Sequence, residues 1–427
     1  MIGNGGLRAF QFREYRHLWL LAVGLSLLMH ARSFWQKHEE GDELAYVALA
    51  REMNWDLSHY TTRDDPVVSK FPYSIYRSSL FHHPPLFPLV LKYGQTLFGN
   101  PTLPGLIFEN ISICILLYYT WRWMVFQRMP ACWGTIAFAG VTFCPLLLSS
   151  SVLLHHDALM GCYMTCGLVA YIEALQRPTV FRAIIAALLL TAGLNLRYNA
   201  LIFLPILVAL QVDNLYRREP TDAGGKTSPA IVPVATKSRW LVFGIVASFV
   251  LTFGLQHYYR ILATYGSLLP SSFIRVDPDA ANYSQFIRNV LERRPWKTAL
   301  HLVLIYPILL SLLNPAIYAP VLRSLRNRSR NSLFTPIFLY LFAVEFYFSY
   351  SQVRYFATVT PCLFLSLPFL IREQSQRRRE ILAGIAAVSL MLMFATGFGK
   401  TQMSPADSMV IVPAPFFYLP PLRFIMY

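Results

Sequence analysis

Long apolar runs, separated by short polar stretches, recur along the whole chain of 427 residues. The runs are about 17–25 residues long, which is the length that an α-helix needs to cross the hydrocarbon core of a bilayer. The pattern predicts an all-α integral membrane protein with about eleven transmembrane helices. We expect them near residues 17–34, 104–125, 131–150, 158–175, 181–195, 199–213, 240–257, 299–319, 333–350, 355–371 and 381–398.

Three longer polar stretches interrupt this single transmembrane domain, which we assign to residues 1–427. Residues 35–103 form the first outer loop, with a helix from Asp42 and an amphipathic helix over 84–99 that lies along the membrane surface. Residues 258–298 form the fourth outer loop, in which we expect another amphipathic juxtamembrane helix and a possible lid. Residues 214–239 are predicted to be a cytoplasmic linker.

The charge of the chain follows the membrane pattern. The formal net charge is +15, and only 14% of the residues are charged. The basic residues cluster in alternate loops, as the positive-inside rule requires, so these loops are predicted to be cytoplasmic. No basic face with stacking aromatics lies outside the apolar runs, which argues against nucleic-acid binding. The six cysteines form no C-x-x-C pair, and the sequence predicts neither a zinc site nor a disulfide from them.

Five separate segments bring polar and charged residues to the predicted outer, non-cytoplasmic face. Adjacent acids, two His-His pairs and two arginines at helix mouths are more specific than the polar residues that outer loops usually carry. The segments contain Asp42 and Glu43; His82 and His83; His155, His156 and Asp157; Arg197 and Asn199; and Arg354 and Tyr355.

These motifs resemble those of the GT-C superfamily of membrane glycosyltransferases. The branch of protein O-mannosyltransferases and lipid A aminoarabinose transferases is the most similar. Its members begin the first outer loop with Asp-Glu, a Tyr and an Ala-rich helix, as in Asp42-Glu43-Leu44-Ala45-Tyr46. The loop ends with an aromatic residue, two polar residues and Pro-Pro-Leu, as in residues 81–86, although many relatives have Glu-Lys in place of His82-His83.

The resemblance, together with the chemistry of the side chains, implies roles for the outer residues. Asp42, Glu43 and Asp157 would be the catalytic acids, with Asp42 as the base that activates an acceptor hydroxyl. The substrate and phosphate contacts would come from His82, His83, Arg197, Arg354 and Tyr355, because guanidinium forks suit phosphate oxygens. For Asp42 and Asp157 a helix cap is the alternative interpretation, and for Arg354 an interfacial anchor.

Binding of a divalent metal ion is one interpretation of the outer acid and histidines. Asp42, His83 and His156 could bind one, since imidazole and carboxylate ligands suit zinc or manganese. Their spacing is not a known ligand signature, so the histidines could instead contact phosphate or the carboxylates.

The resemblance implies an inverting transferase that moves a sugar from a polyprenyl-phosphate carrier to an unknown glycan, lipid or protein acceptor. We expect a multi-pass protein of a bacterial inner membrane, in contact with membrane lipid and with its site on the periplasmic side. A polytopic transporter or flippase for a lipid-linked sugar is the alternative, although transporters tend to have polar sites at the membrane midplane. A non-catalytic membrane scaffold is a third possibility.

Overall fold

The computed structural model describes residues 42–70, 74–127, 129, 156–216 and 236–266. It also describes single residues and short segments elsewhere: 20, 21, 23, 24, 27, 141, 142, 147, 268, 340, 357–362, 365, 375, 377, 380, 381, 384, 398–401 and 410–413. Of Asp42 only the backbone is described, as the first residue of a helix.

The described part of the chain is almost entirely helical. The main helices are α1 (Asp42–Glu52), α2 (Leu86–Phe98), α3 (Thr102–Phe126), α4 (Asp157–Gln176), α5 (Val180–Leu194), α6 (Leu204–Tyr216), α7 (Thr236–Phe249) and α8 (Gln256–Tyr265). A 3₁₀ segment, Tyr198–Phe203, precedes α6, and a π-helical turn, Val250–Gly254, follows α7. Strands β1 (Phe398–Thr401) and β2 (Val410–Pro413) pair antiparallel, with Phe398 opposite Pro413.

Three described helices are long and apolar enough to cross a membrane, namely Thr102–Phe126, Asp157–Gln176 and Lys237–Gly254. They match three of the predicted transmembrane helices, and the shorter apolar helices Val180–Leu194 and Tyr198–Val212 match two more. The all-α membrane class is therefore confirmed. The β-hairpin lies in the tail, which the sequence pattern left without a predicted element.

Helix α4 is the centre of the core. It is buried along nearly its whole length, and α3, α5 and α7 pack against it. Gly161 allows a further close approach: a Cβ built on it would lie 2.4 Å from the carbonyl oxygen of Thr358. The late segment is also bonded to this core, because Trp123 Nε1 donates to Leu365 O at 3.1 Å. The core around α4 thus has neighbours from distant parts of the chain.

The first predicted outer loop is a folded unit. Residues 60–62 run beside residues 76–81, since Phe81 N donates to Tyr60 O at 2.7 Å. Thr61 Oγ1 donates to Ser78 O at 2.6 Å, which satisfies a backbone carbonyl inside the loop. Helix α2 then ends at Gly99, whose φ of 65° gives the left-handed C-cap that glycine adopts most readily. The loop therefore holds the histidines before α2 in a defined place.

The other predicted segments are described only in part. Helix α6 extends to Tyr216 and α7 begins at Thr236, so both ends of the predicted linker 214–239 are helical. Helix α8 covers the start of the predicted loop 258–298. The central part of the linker and the remainder of that loop, including the lid prediction, lie outside the described residues, apart from Gly266 and Leu268.

Candidate active site

The candidate site begins at helix α1, which carries Glu43 and Tyr46 one turn apart. Both side chains are buried. The Tyr46 hydroxyl lies 3.5 Å from His156 Nε2, and the two rings meet edge to face with centroids 4.8 Å apart. Helix α1, from the first outer loop, therefore contacts the residue that directly precedes α4. Asp42 is the first residue of the same helix, four positions before Tyr46.

The two histidines of the first loop lie beside the same residue. The ring centroids of His82 and His83 are 3.7 Å apart, and those of His83 and His156 are 4.5 Å apart. The Tyr60 hydroxyl donates to His83 O at 2.9 Å, which fixes the backbone of the pair. On its other side, the His83 ring stacks on Tyr198 with centroids 5.6 Å apart and an interplanar angle of 22°.

A buried ion pair completes the cluster. Arg197 Nη1 contacts Asp157 Oδ1, and the two side chains are only 5% and 3% exposed. Asp157 is in the first turn of α4, where a carboxylate is favoured by the helix dipole. Arg197 precedes the 3₁₀ segment that follows α5. The pair thus joins the amino-terminal end of α4 to the turn that follows α5, directly beside His156.

The electrostatics of the cluster keep its central imidazole neutral. Burial lowers the pKa of His83 well below its usual 6.5, and the nearby His82, His156 and Arg197 lower it further. At neutral pH this ring is therefore uncharged, with one nitrogen that can donate a hydrogen bond and one that can accept a hydrogen bond. An anion bound among these groups would offset the unfavourable positive charge and raise the pKa of His83.

A fourth imidazole flanks the cluster from α8. The ring of His257 meets that of Tyr60 edge to face at 5.5 Å. Burial lowers its pKa to about 4, although polar contacts with the backbone of His82 and Phe81 partly oppose this effect. His257 is therefore neutral at physiological pH and packs against the segment that carries the histidine pair.

The structure brings together five of the residues that the sequence singled out, namely His82, His83, His156, Asp157 and Arg197. Two more are described: Glu43 is buried on α1, and Asn199 is buried in the 3₁₀ segment after Arg197. His155, Arg354, Tyr355 and the side chain of Asp42 lie outside the described residues. The roles of all these residues remain predictions.

Tyr198 and His257 are site neighbours that the sequence analysis did not single out. Tyr198 directly follows Arg197 in the chain, and this adjacency is the feature of the sequence that could have indicated a place in the site. His257 comes just before the fourth outer loop at a helix start, and nothing in its spacing relates it to His82. Both contacts depend on the packing of segments far apart in the chain.

The fit of a metal ion can be tested on the donor set. Among the residues that the structure describes, no group of three or more His, Cys, Asp or Glu side chains is arranged to hold one. His83 and His156 face each other as rings in a cluster with a guanidinium, which disfavours a cation. The described donors alone do not form a metal site, and the carboxylate of the predicted set, Asp42, has its side chain outside the described residues, so a metal at Asp42, His83 and His156 stays a prediction.

An apolar cavity of about 770 Å³ lies along α3 in its membrane-spanning part. Its walls include Ile107, Ile111, Cys114 and Tyr118 on α3, Leu189 on α5 and Leu27. These side chains offer an environment for a hydrocarbon chain.

Comparisons with known proteins agree with this fold. Residues 82–224 match the family model described as dolichyl-phosphate-mannose-protein mannosyltransferase. The crystal structure of ArnT from Cupriavidus metallidurans bound to undecaprenyl phosphate is similar with a TM-score of 0.52 and 14% sequence identity. That similarity covers 88% of this chain and 64% of ArnT, so the chain spans slightly less than two thirds of the ArnT length. No curated protein matches in sequence.

The fold is similar to that of ArnT, and residues 82–224 match a mannosyltransferase family model, so the resemblance to GT-C membrane glycosyltransferases found in the sequence is confirmed. The family match begins at His82 and includes α2, the Arg197–Asp157 pair and α6. It therefore covers most of the described cluster.

Proposed function

We propose that this protein is an inverting glycosyltransferase that takes a sugar from a polyprenyl-phosphate carrier. The observation that carries the proposal is a cluster of one guanidinium and three imidazoles at the predicted outer ends of α4 and α5, in which Arg197, His82 and His156 are buried and His83 is partly exposed. Such a cluster suits a phosphate ester that enters from the membrane surface. The fold, the matched family and the undecaprenyl phosphate bound to ArnT in its crystal structure support the same donor class.

Arg197 and the histidines would stabilise the departing phosphate. Preorganised donors aimed at developing negative charge usually contribute more to catalysis than any other single effect. A guanidinium carries five N–H donors, so Arg197 can pair with Asp157 and bind phosphate oxygens together. His82 and His83 would add hydrogen bonds, and Arg354 and Tyr355 stay assigned to the same phosphate on the resemblance alone.

The acids divide into two roles in this proposal. Asp157 is engaged by Arg197, so we assign it to holding the guanidinium in place instead of abstracting a proton. Asp42, at the first residue of α1, is then the candidate base, with Glu43 beside it. A carboxylate in hydrogen-bond reach of an acceptor hydroxyl accelerates such a step by about 10²–10⁴-fold.

Inversion follows from a single displacement. The acceptor oxygen forms a bond to the anomeric carbon from the face opposite the phosphate, as the bond from that carbon to the phosphate oxygen breaks. The proton of the acceptor hydroxyl passes to Asp42, and the carrier phosphate leaves with the electron pair. An acceptor that is itself a phosphate needs no base, and Asp42 would then orient the substrate.

The cavity along α3 is a candidate place for part of the carrier chain. It lies along a helix that is long and apolar enough to span a membrane, and it is lined almost entirely by apolar side chains. We place the reaction on the periplasmic side of an inner membrane, because the positive-inside rule assigns the basic loops to the cytoplasm. The sugar and the acceptor are to be identified by assay.

The proposal is tested by sugar transfer in vitro. The purified protein is incubated in micelles with labelled polyprenyl-phosphate sugars and candidate acceptors, and the Asp42→Asn variant is measured beside it. Asp64→Asn is the matched control, since Asp64 is in the same loop and its side chain is 53% exposed. Transfer by the wild type and the control, with a loss of about 10²-fold or more in Asp42→Asn, is expected.

Two outcomes would contradict it. Equal turnover in all three proteins removes Asp42 as the base. Movement of the intact lipid-linked sugar across vesicles, without any transfer, favours a flippase.

A further inference from the structure

Helix α8 presents one buried face to the candidate site. His257, Tyr258, Ile261 and Tyr265 are buried on this face, whereas the neighbouring Tyr259 is 52% exposed. The spacing of the buried residues is that of an amphipathic helix. Two of them are tyrosines, and a buried phenol hydroxyl usually requires a hydrogen-bond partner.

Tyr258 closes the turn that carries Arg197. Its hydroxyl lies 2.8 Å from Leu194 O and 2.9 Å from Arg197 O, and its single proton is shared between these carbonyls. Leu194 is the last residue of α5, so its carbonyl has no partner within the helix. The phenol thus fixes both ends of the turn, including the backbone of the residue that pairs with Asp157.

Tyr265 holds the segment before the histidine pair. Its hydroxyl donates to Leu80 O at 2.9 Å and accepts from Leu80 N at 3.1 Å. One phenol therefore satisfies both backbone groups of a residue two positions before His82, as a neighbouring strand would do. The third contact of this kind is from Arg260, whose Nη2 donates to Leu57 O at 2.6 Å.

The two segments that α8 holds are also joined directly. Leu86 N, at the start of α2, donates to Asn195 O in the turn before Arg197 at 2.9 Å. The Asn195 side chain donates to Phe253 O at 3.0 Å, in the π-helical turn that leads into α8. Such π-helical turns occur often at functional sites. These hydrogen bonds therefore link α8, the segment before α2 and the turn before Arg197 to one another.

We propose that Tyr258 and Tyr265 are positioning residues, which hold Arg197 and the His82–His83 pair at the spacing that one phosphate group requires. The inference rests on the proposed function of the cluster. Neither phenol is assigned a contact with substrate. Each acts through the backbone of another residue, and together they make α8 the element that sets the distance between the two halves of the site.

The test compares three conservative variants of the full chain. Tyr258→Phe and Tyr265→Phe remove one hydroxyl each, and Tyr259→Phe is the matched control on the exposed face of the same helix. Three quantities are measured for each variant: kcat and KM for the polyprenyl-phosphate sugar, thermal stability in micelles, and diethylpyrocarbonate labelling of His82 and His83 by peptide mass spectrometry. The labelling needs no substrate.

A positioning role predicts that kcat falls about tenfold or more in Tyr258→Phe and Tyr265→Phe, since small displacements of a positioned group cost up to about 10²-fold. KM stays near the wild-type value. The loss of activity in these two variants is larger than the loss of folded protein can explain. Labelling of the histidines rises severalfold in Tyr265→Phe, and Tyr259→Phe matches the wild type in every readout.

The inference is overturned if histidine labelling in Tyr265→Phe equals that of the wild type. It is also overturned if both variants lose activity only in proportion to the folded protein that they lose. Failure of the proposed function has a different signature: the wild type transfers no sugar from any donor, while the labelling of Tyr265→Phe still rises.

Discussion

Replacing Asp157 by asparagine tests the buried ion pair at the centre of the site. Asparagine keeps the size and shape of the side chain but removes the negative charge beside Arg197. The guanidinium cannot give up its proton at any ordinary pH. The variant must therefore either bury an uncompensated positive charge or move Arg197 towards water.

The size of the effect follows from the burial of the pair. Because Arg197 and Asp157 are only 5% and 3% exposed, water contributes little to the solvation of either group. Removing one partner of such a pair costs about 3–5 kcal/mol of folding free energy, whereas replacing both by apolar residues of similar volume is often close to neutral. The double variant Asp157→Leu/Arg197→Met should therefore recover much of the loss, without activity.

The assay is reversible denaturant unfolding in mixed micelles, followed by tryptophan fluorescence. Glu173→Gln is the matched control, because Glu173 pairs with Arg122 at the other end of α3 and α4, where that arginine is 33% exposed. We expect this control to lose less than Asp157→Asn, about 1–3 kcal/mol, because Arg122 can reach water although the Glu173 side chain is only 11% exposed. The reasoning is refuted if Asp157→Asn is as stable as the wild type, or if the apolar double variant is as unstable as the single one.

Two further predictions concern stability. Because burial lowers the pKa of His257 from 6.5 to about 4, the unfolded chain binds more protons between these values. Stability should therefore fall as the pH drops below about 6.5, by up to about 1.4 kcal/mol per unit from this group, and His257→Gln should flatten the slope in unfolding titrations. Gly161→Ala should lower the free energy of unfolding by about 1–3 kcal/mol, because its Cβ would meet Thr358 O. Gly244 has open space around it, so Gly244→Ala should raise the free energy of unfolding by about 0.5–1 kcal/mol. Thermal unfolding of both variants measures these changes. A loss in Gly244→Ala equal to that in Gly161→Ala would contradict the packing argument.

The helices could be predicted from the sequence because their signals are local. The length of the apolar run predicted the start of α3 to within two residues. The Leu97-Phe98-Gly99 motif predicted the end of α2. The assignment of several polar segments to one face followed from the alternation of helices and the positive-inside rule. Those segments do converge, as the contacts of His83 with His156 show.

The supporting contacts could not be predicted, because they join side chains to backbone groups of remote residues. Tyr258 and Arg197 are separated by 61 positions, and Tyr265 and Leu80 by 185. A backbone carbonyl has no residue-specific signature, so neither partner is visible in the sequence. The short hairpin of β1 and β2 was missed for a related reason, since strand pairing across a loop depends on tertiary context more than on propensity.

The most direct test of the account is the rate of sugar transfer by Arg197→Lys. Lysine keeps the positive charge that pairs with Asp157 but lacks the planar fork that binds two phosphate oxygens. We predict normal folding and a kcat/KM for the polyprenyl-phosphate sugar that is lower by about tenfold or more, a loss of about 1.4 kcal/mol in transition-state binding. The control, Arg182→Lys at the predicted cytoplasmic end of α5, should transfer sugar like the wild type. Equal kcat/KM in Arg197→Lys and the wild type would contradict the assignment of the cluster to the donor phosphate.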